Sequence, residues 1–163
     1  MLIRKVDPVA DSSEICRIYN HYITETVISF ETEPLAVDAM IRRIKSIVDQ
    51  GLPYLVCEED GIIVGFSYAH KWKERPAYST TLETTVYLDV AQRHRGYGNA
   101  LMVALIDMCR AYGSHSLIAC ITAENYESVA FHRSLGFMPV SMFRQVGFKF
   151  GRFLDVTDLQ LIL

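Results

Sequence analysis

Two features between Thr80 and Ala100 carry residues suited to chemistry: a carboxylate set in an apolar strand, and a basic loop spaced by glycines. The loop reads Arg93-His94-Arg95-Gly96-Tyr97-Gly98-Asn99. It is entered from a run dense in Thr, Val, Tyr and Leu and leaves into the apolar run Leu101 to Met108, a strand, loop, helix order. Gly96 and Gly98 let the backbone come close to a ligand, and the helix behind them offers unpaired N–H groups and a positive dipole end. Arg93 and Arg95 add permanent charges suited to phosphate, so the expected chemistry is anion binding. A dinucleotide turn needs Gly or Ala where this chain has Leu101, and no G-K-[ST] is present, which counts against Rossmann and P-loop sites. An ordinary glycine-rich turn is the plain alternative.

Glu83 is the carboxylate. Alternation along the strand puts it on one face with Thr81, Thr85 and Tyr87, while Leu82, Val86 and Leu88 point the other way. Partial burial would raise its pKa toward a value useful for accepting a proton at neutral pH. A solvated Glu on the outer face of the sheet is the alternative. Further along, Asn125 opens a helix in Glu124-Asn-Tyr-Glu-Ser128, and His132 lies two turns beyond it. From spacing alone, Asn125 is an N-cap and His132 a surface or satisfied residue.

These residues need a scaffold, and the chain is long enough to build one. Its 163 residues, half of them apolar, are expected to form one domain over residues 1–163 without a metal or disulfide. A net charge of −3 gives no general pull toward nucleic acid or anionic lipid. Cys16, Cys57, Cys109 and Cys120 are scattered without C-x-x-C pairing and read as small buried hydrophobes in a reducing compartment. No apolar run approaches a membrane span, and a cytoplasmic protein is expected.

The expected elements are a strand at Leu2–Val6, helices near Ser12–Thr24 and Val37–Gln50, and strands at Tyr54–Glu58 and Ile62–Trp72 joined by a hairpin through Asp60-Gly61. The central strand begins near Ser79. A helix at Tyr97–Tyr112, a strand at Ser116–Thr122, a helix at Glu124–Leu135 and strands at about Met138–Phe148 and Arg152–Ile162 follow. Val27 to Pro34 has neither period and is an ordered loop. The order makes a mixed, mostly antiparallel α/β sheet with helices on both faces.

That order, together with Arg93-x-x-Gly96-x-Gly98, resembles the fold and pyrophosphate loop of the GNAT acetyltransferases. Many of these enzymes carry N-x-x-[AS]-x-x-[LF]-Y-x-x-x-G-F; this chain has Asn125, Ser128, Phe131, Gly136 and Phe137, with His132 where the Tyr usually stands. Phe30-Glu-Thr-Glu-Pro34, Arg75-Pro-Ala-Tyr78, Glu83-Thr-Thr-Val-Tyr87 and Val146 to Asp155 are similar to the phosphinothricin N-acetyltransferase branch, which includes methionine sulfoximine and methionine sulfone acetyltransferases.

The resemblance implies acetyl-CoA as co-substrate, no metal, and Glu83 as general base. It implies that acetyl-CoA is held by Val86, Tyr87 and Leu88, the loop Arg93, His94, Arg95, Gly96, Tyr97, Gly98 and Asn99, and Asn125 with Ser128. Phe30, Arg75, Tyr78, Glu83, Thr84 and Thr85 would line the pocket of an amino-acid acceptor. In that chemistry an α-ammonium must lose a proton before its nitrogen attacks a thioester, and Glu83 takes it. A backbone N–H near Leu88 would meet the developing oxyanion, His132 would give a proton to the departing thiolate, and Arg75 would pair with the acceptor's carboxylate. Direct transfer is expected, and the resemblance implies a homodimer, to which the Phe148–Phe153 segment would contribute. A protein N-terminal or other amine acetyltransferase, and a noncatalytic acyl-CoA-binding module, are the competing readings.

Overall fold

A computed structural model describes residues 1–163. In chain order the elements are β1 (Leu2–Lys5), α1 (Ser12–Glu25), α2 (Val37–Val48), β2 (Tyr54–Glu59), β3 (Ile62–Lys71), β4 (Thr81–Leu88), α3 (Tyr97–Tyr112), β5 (Ser116–Thr122), α4 (Tyr126–Ser134), β6 (Met138–Lys149) and β7 (Arg152–Ile162). Short 3₁₀ turns at Pro76–Tyr78 and Val90–Gln92 flank β4. The strands form one seven-stranded sheet, β1-β2-β3-β4-β5-β7-β6, flanked by helices. β4 and β5 pair in parallel, and β1–β2, β2–β3, β5–β7 and β6–β7 pair antiparallel, so the expected mixed α/β fold is the one observed.

The contacts divide the chain into two compact units, the first comprising Met1–His21, Leu35–His70 and Thr85–Gly113. Its β2–β3 hairpin turns through Asp60 (φ 52°) and Gly61 (φ 77°), the pair of left-handed residues that a two-residue turn matched to strand twist requires. α2 buries Met40, Ile44 and Ile47 along one stripe, and α3 buries Leu101, Met102, Leu105, Ile106 and Cys109. α3 begins after Gly96 and ends at Gly113, whose φ of 94° lets the chain leave the helix. β3 comes so close to the end of β4 that Gly65 has no room for a side chain. A Cβ there would lie 2.8 Å from the carbonyl oxygen of Tyr87 and closer still to Leu88. Near the start of α1, Asp11 is buried, accepts the Asp7 amide at 2.7 Å, and holds Arg4 through both carboxylate oxygens at 2.7 and 2.9 Å.

The second unit comprises Tyr22–Pro34, Lys71–Thr84 and Ser114–Leu163. β5 is its centre: Leu117, Ile118, Ala119 and Ile121 are buried, and the strand pairs along its whole length with β7. Its ladder with β4 is short, running from Thr81↔Ser116 to Glu83↔Ile118. α4 starts at Tyr126, two residues later than expected, because Asn125 at φ −82° and ψ 66° lies outside the helix and caps it. β6 and β7 turn at Phe150 and Gly151, both left-handed. Of the twelve residues of β6 only Gly147 and Lys149 are buried, while Met138, Val140, Met142, Phe143, Val146 and Phe148 are exposed.

Candidate active site

In the first unit β4 feeds a loop that ends at α3. Asp89 begins it: its amide donates to Val64 O at 2.9 Å, its Oδ1 accepts the Ala91 amide at 2.9 Å, and its Oδ2 meets Arg17 Nη2 at 2.6 Å. Desolvation pushes this carboxyl up, but the Arg17 hydrogen bond and the Ala91 amide together bring it below the usual range. Further on, His94 is left-handed at φ 61°, and Gly96 at φ 85° is the N-cap of α3 with no side-chain cap. A Cβ at Gly96 would meet nothing within 4 Å, so the glycine is there for its backbone conformation and not for want of space.

The first helical bond runs from Ala100 N to Gly96 O, which leaves the Tyr97, Gly98 and Asn99 amides without an acceptor inside the helix. No acidic side chain sits in that first turn. Arg95 is exposed and Arg93 half-buried beside it. Donors, dipole and fixed positive charge therefore fit a diphosphate. Tyr97 offers only its main chain, because its side chain is buried in the core. Val86, Tyr87 and Leu88, the last residues of β4, are all half-buried.

In the second unit Glu83 is half-buried and paired with Ile118. Parallel pairing puts Glu83 and Ile118 on one face, and the β5–β7 register adds Cys120, Asp158 and Gln160 to it. The Cys120 thiol is pushed up to about 12, first by desolvation and then by the charges of Glu83 and Asp158 and a hydrogen bond to Asp158. The Glu83 carboxylate is thus close enough to this sulfur to act on it. Cys120, expected as a small buried hydrophobe, is instead exposed on this face, and Asp158 is a neighbour that sequence reasoning passed over. Alternation along β4 identifies Glu83's face, but only the register with β5 and β7 shows who shares it.

Thr84 faces the other way: it is buried, and its hydroxyl donates to Ile118 O at 3.3 Å. Of the residues expected to line an acceptor pocket, Thr84 is the one whose side chain is buried. Thr85, next along, is half-buried. Arg75 caps the Pro76–Tyr78 turn, its carbonyl accepting the Tyr78 amide at 2.9 Å, and the residue is exposed. Tyr78 stands edge-on to Trp72 at 5.4 Å, with Lys73 Nζ 4.0 Å from the Trp72 ring centre. Phe30 sits in the Val27–Pro34 stretch, 40 % exposed.

On α4, Asn125 Oδ1 accepts the Ser128 amide at 3.2 Å, which is the capping bond. His132 is buried, edge-on to Phe131 and Phe137 at 5.2 and 5.3 Å, and its Nδ1 lies 2.8 Å from Ser128 O and 3.3 Å from Ser128 Oγ. A carbonyl can only accept, so Nδ1 carries the proton. Desolvation lowers the imidazole's pKa, opposed in part by the Ser128 carbonyl. Burial thus works against the protonated form that the expected role as proton donor to a leaving thiolate calls for. No group of three His, Cys, Asp or Glu side chains is arranged to hold a metal ion.

The family profile of an acetyltransferase (GNAT) domain matches residues 3–157. The chain belongs to the GNAT acetyltransferases. Among its relatives in this family, the L-methionine sulfoximine/L-methionine sulfone acetyltransferase of Salmonella typhimurium is 36 % identical over 163 residues, covering 100 % of this chain and 95 % of that protein. A phosphinothricin acetyltransferase from Sinorhizobium meliloti, solved in complex with acetyl-CoA, superposes with a TM-score of 0.95 at 34 % identity, over 99 % of this chain and 88 % of that one. A ribosomal-protein-alanine N-acetyltransferase from Brucella melitensis superposes with a TM-score of 0.98 at 32 % identity, over 100 % of both chains.

Proposed function

We propose that this GNAT enzyme transfers an acetyl group from acetyl-CoA to the α-amino group of a small amino-acid-like acceptor of the phosphinothricin, methionine sulfoximine or methionine sulfone type. The observation that carries the reading is one continuous segment: a strand bearing half-buried Glu83, then a left-handed Gly96 that opens α3 with its first amides unspent. The names of the relatives supply the acceptor class. Residues 1–163 are taken to work as one catalytic domain, in the cytoplasm; no helix is long and apolar enough to cross a membrane.

Acetyl-CoA supplies an activated thioester. The amides of Tyr97, Gly98 and Asn99, with Arg93 and Arg95, hold its diphosphate, and Asn125 and Ser128 contribute from the start of α4. Arg75 pairs with the acceptor's carboxylate, and Phe30, Tyr78 and Thr85 line its side-chain pocket. Glu83 accepts the proton of the α-ammonium, directly or through a water, and frees the lone pair for attack. A main-chain N–H near Leu88 donates to the charge that develops on the acetyl oxygen; such a donor contributes about 3 kcal/mol. As the C–S bond breaks and the thiolate leaves, the attacking nitrogen gives up its second proton, which that thiolate takes directly or through solvent to become the free thiol.

Two copies are proposed to associate through β6 and β7, where Phe148, Phe150 and Phe153 are exposed together. A protein N-terminal acetyltransferase is the second reading, favoured by the likeness to the Brucella enzyme. Free-thiol release from acetyl-CoA decides between them. Amino acids and their sulfone, sulfoximine and phosphinic analogues should release thiol, and peptides beginning with alanine should not. Turnover with the peptides alone overturns the proposal.

A further inference from the structure

The stretch Val27 to Pro34 has no regular secondary structure, yet it is tied to β5 and β6 at three points. Thr122 Oγ1 donates to Val27 O at 2.7 Å, and Lys149 Nζ donates to Ser29 O at 2.6 Å. The third tie is a space. At Gly147 a Cβ would lie 2.8 Å from two carbons of the Phe30 ring and closer still to a third, so the ring occupies the place a side chain would take. Gly147 is not among the left-handed glycines, so its backbone conformation is open to any residue. Only the Phe30 ring demands a glycine there.

Lys149 is equally pointed. It is 4 % exposed on a strand whose other residues, Gly147 and half-buried Ser141 apart, are exposed. Burying an ammonium costs stability unless something is gained, and an apolar chain of the same length would fill the space without that cost. What the ammonium adds is a bond to the loop backbone one residue before Phe30, with Glu31 acting on it from one residue beyond. Gly147 and Lys149 are two apart and so share the face of β6 that meets the loop.

We infer that Gly147 and Lys149 are positioning residues that fix the Phe30 ring at the acceptor, and so determine which acceptor side chains the enzyme takes. This rests on the proposed reading that Phe30 lines the acceptor pocket. Their removal should change the choice among acceptors while leaving the coenzyme's affinity in place, since the loop is no part of the coenzyme cradle.

The test compares wild type with Phe30→Ala, Gly147→Ala, Lys149→Met and Lys149→Arg, measuring KM for methionine sulfone, for phosphinothricin and for acetyl-CoA. Gly147→Ala and Lys149→Met should each raise acceptor KM about tenfold and shift the ratio of kcat/KM between the two acceptors, with acetyl-CoA KM within about twofold. Lys149→Arg, which keeps a donor for Ser29 O, should restore part of the loss. Acceptor KM values and ratio unchanged in both Gly147→Ala and Lys149→Met overturn the inference, as does a parallel rise in acetyl-CoA KM. If Phe30→Ala leaves acceptor KM in place, the pocket reading beneath it has failed. If Phe30→Ala raises it and the other two do not, the clamp alone has failed.

Discussion

His132 Nδ1 lies 2.8 Å from the carbonyl oxygen of Ser128, one helical turn back, in a pocket closed by two phenylalanine rings. Desolvation holds its pKa below the ordinary 6.5. In the unfolded chain the ring takes up a proton near pH 6.5, in the folded chain only at a lower pH. Between the two the unfolded state binds more protons, so stability is lost as pH falls below about 6.5. The urea midpoint should therefore drop further in wild type than in His132→Phe between about pH 7.5 and about pH 5.5. Equal drops would remove the residue from acid sensitivity.

Glu83→Gln keeps the size and removes the basicity. It should lower kcat/KM by about a hundredfold while calorimetric binding of acetyl-CoA is unchanged. Near-normal turnover would require another base.

Arg75→Ala should raise KM about tenfold for acceptors with a free carboxylate and leave their carboxamide analogues unaffected, because only the ion carries a charge-assisted bond. Steady-state kinetics on matched acid and amide pairs gives the answer. A rise for both alike would make Arg75 a packing residue.

Gly96→Ala meets open space, so its whole effect is conformational. Holding an alanine at φ 85° costs about 1–2 kcal/mol, which the loop escapes by moving its amides. Acetyl-CoA affinity, read by calorimetry, should fall about tenfold, with acceptor selectivity unaltered. Wild-type affinity would place the diphosphate away from this turn.

Much of the scaffold was legible. α3 and β5 have the bounds that the sequence suggests, since Gly96 and Gly113 bracket the helix and Ser116–Thr122 is buried along its length but for Cys120. Asn125 shortened α4 by standing outside it, a matter of one residue's dihedrals. The site was harder. The resemblance implies a place for Thr84 in the pocket, while alternation turns its side chain away from Glu83 and its hydroxyl bonds Ile118 O. That Cys120 and Asp158 neighbour Glu83 depends on strand register, which pairs residues far apart in sequence. His132 could be named from its motif, but whether a helix residue is buried depends on what packs over it.

The chain's four thiols bear on fidelity. Cys16, Cys57 and Cys109 lie inside, Cys109 pushed up to about 12 by desolvation, and Cys120, which reaches the surface, is held at a similar value by desolvation, Glu83 and Asp158. A thioester exchanges readily with thiolates and barely with thiols. Desolvation thus works against thiolate formation at all four cysteines, which disfavours passage of an acetyl group from a thioester onto this chain's own sulfur.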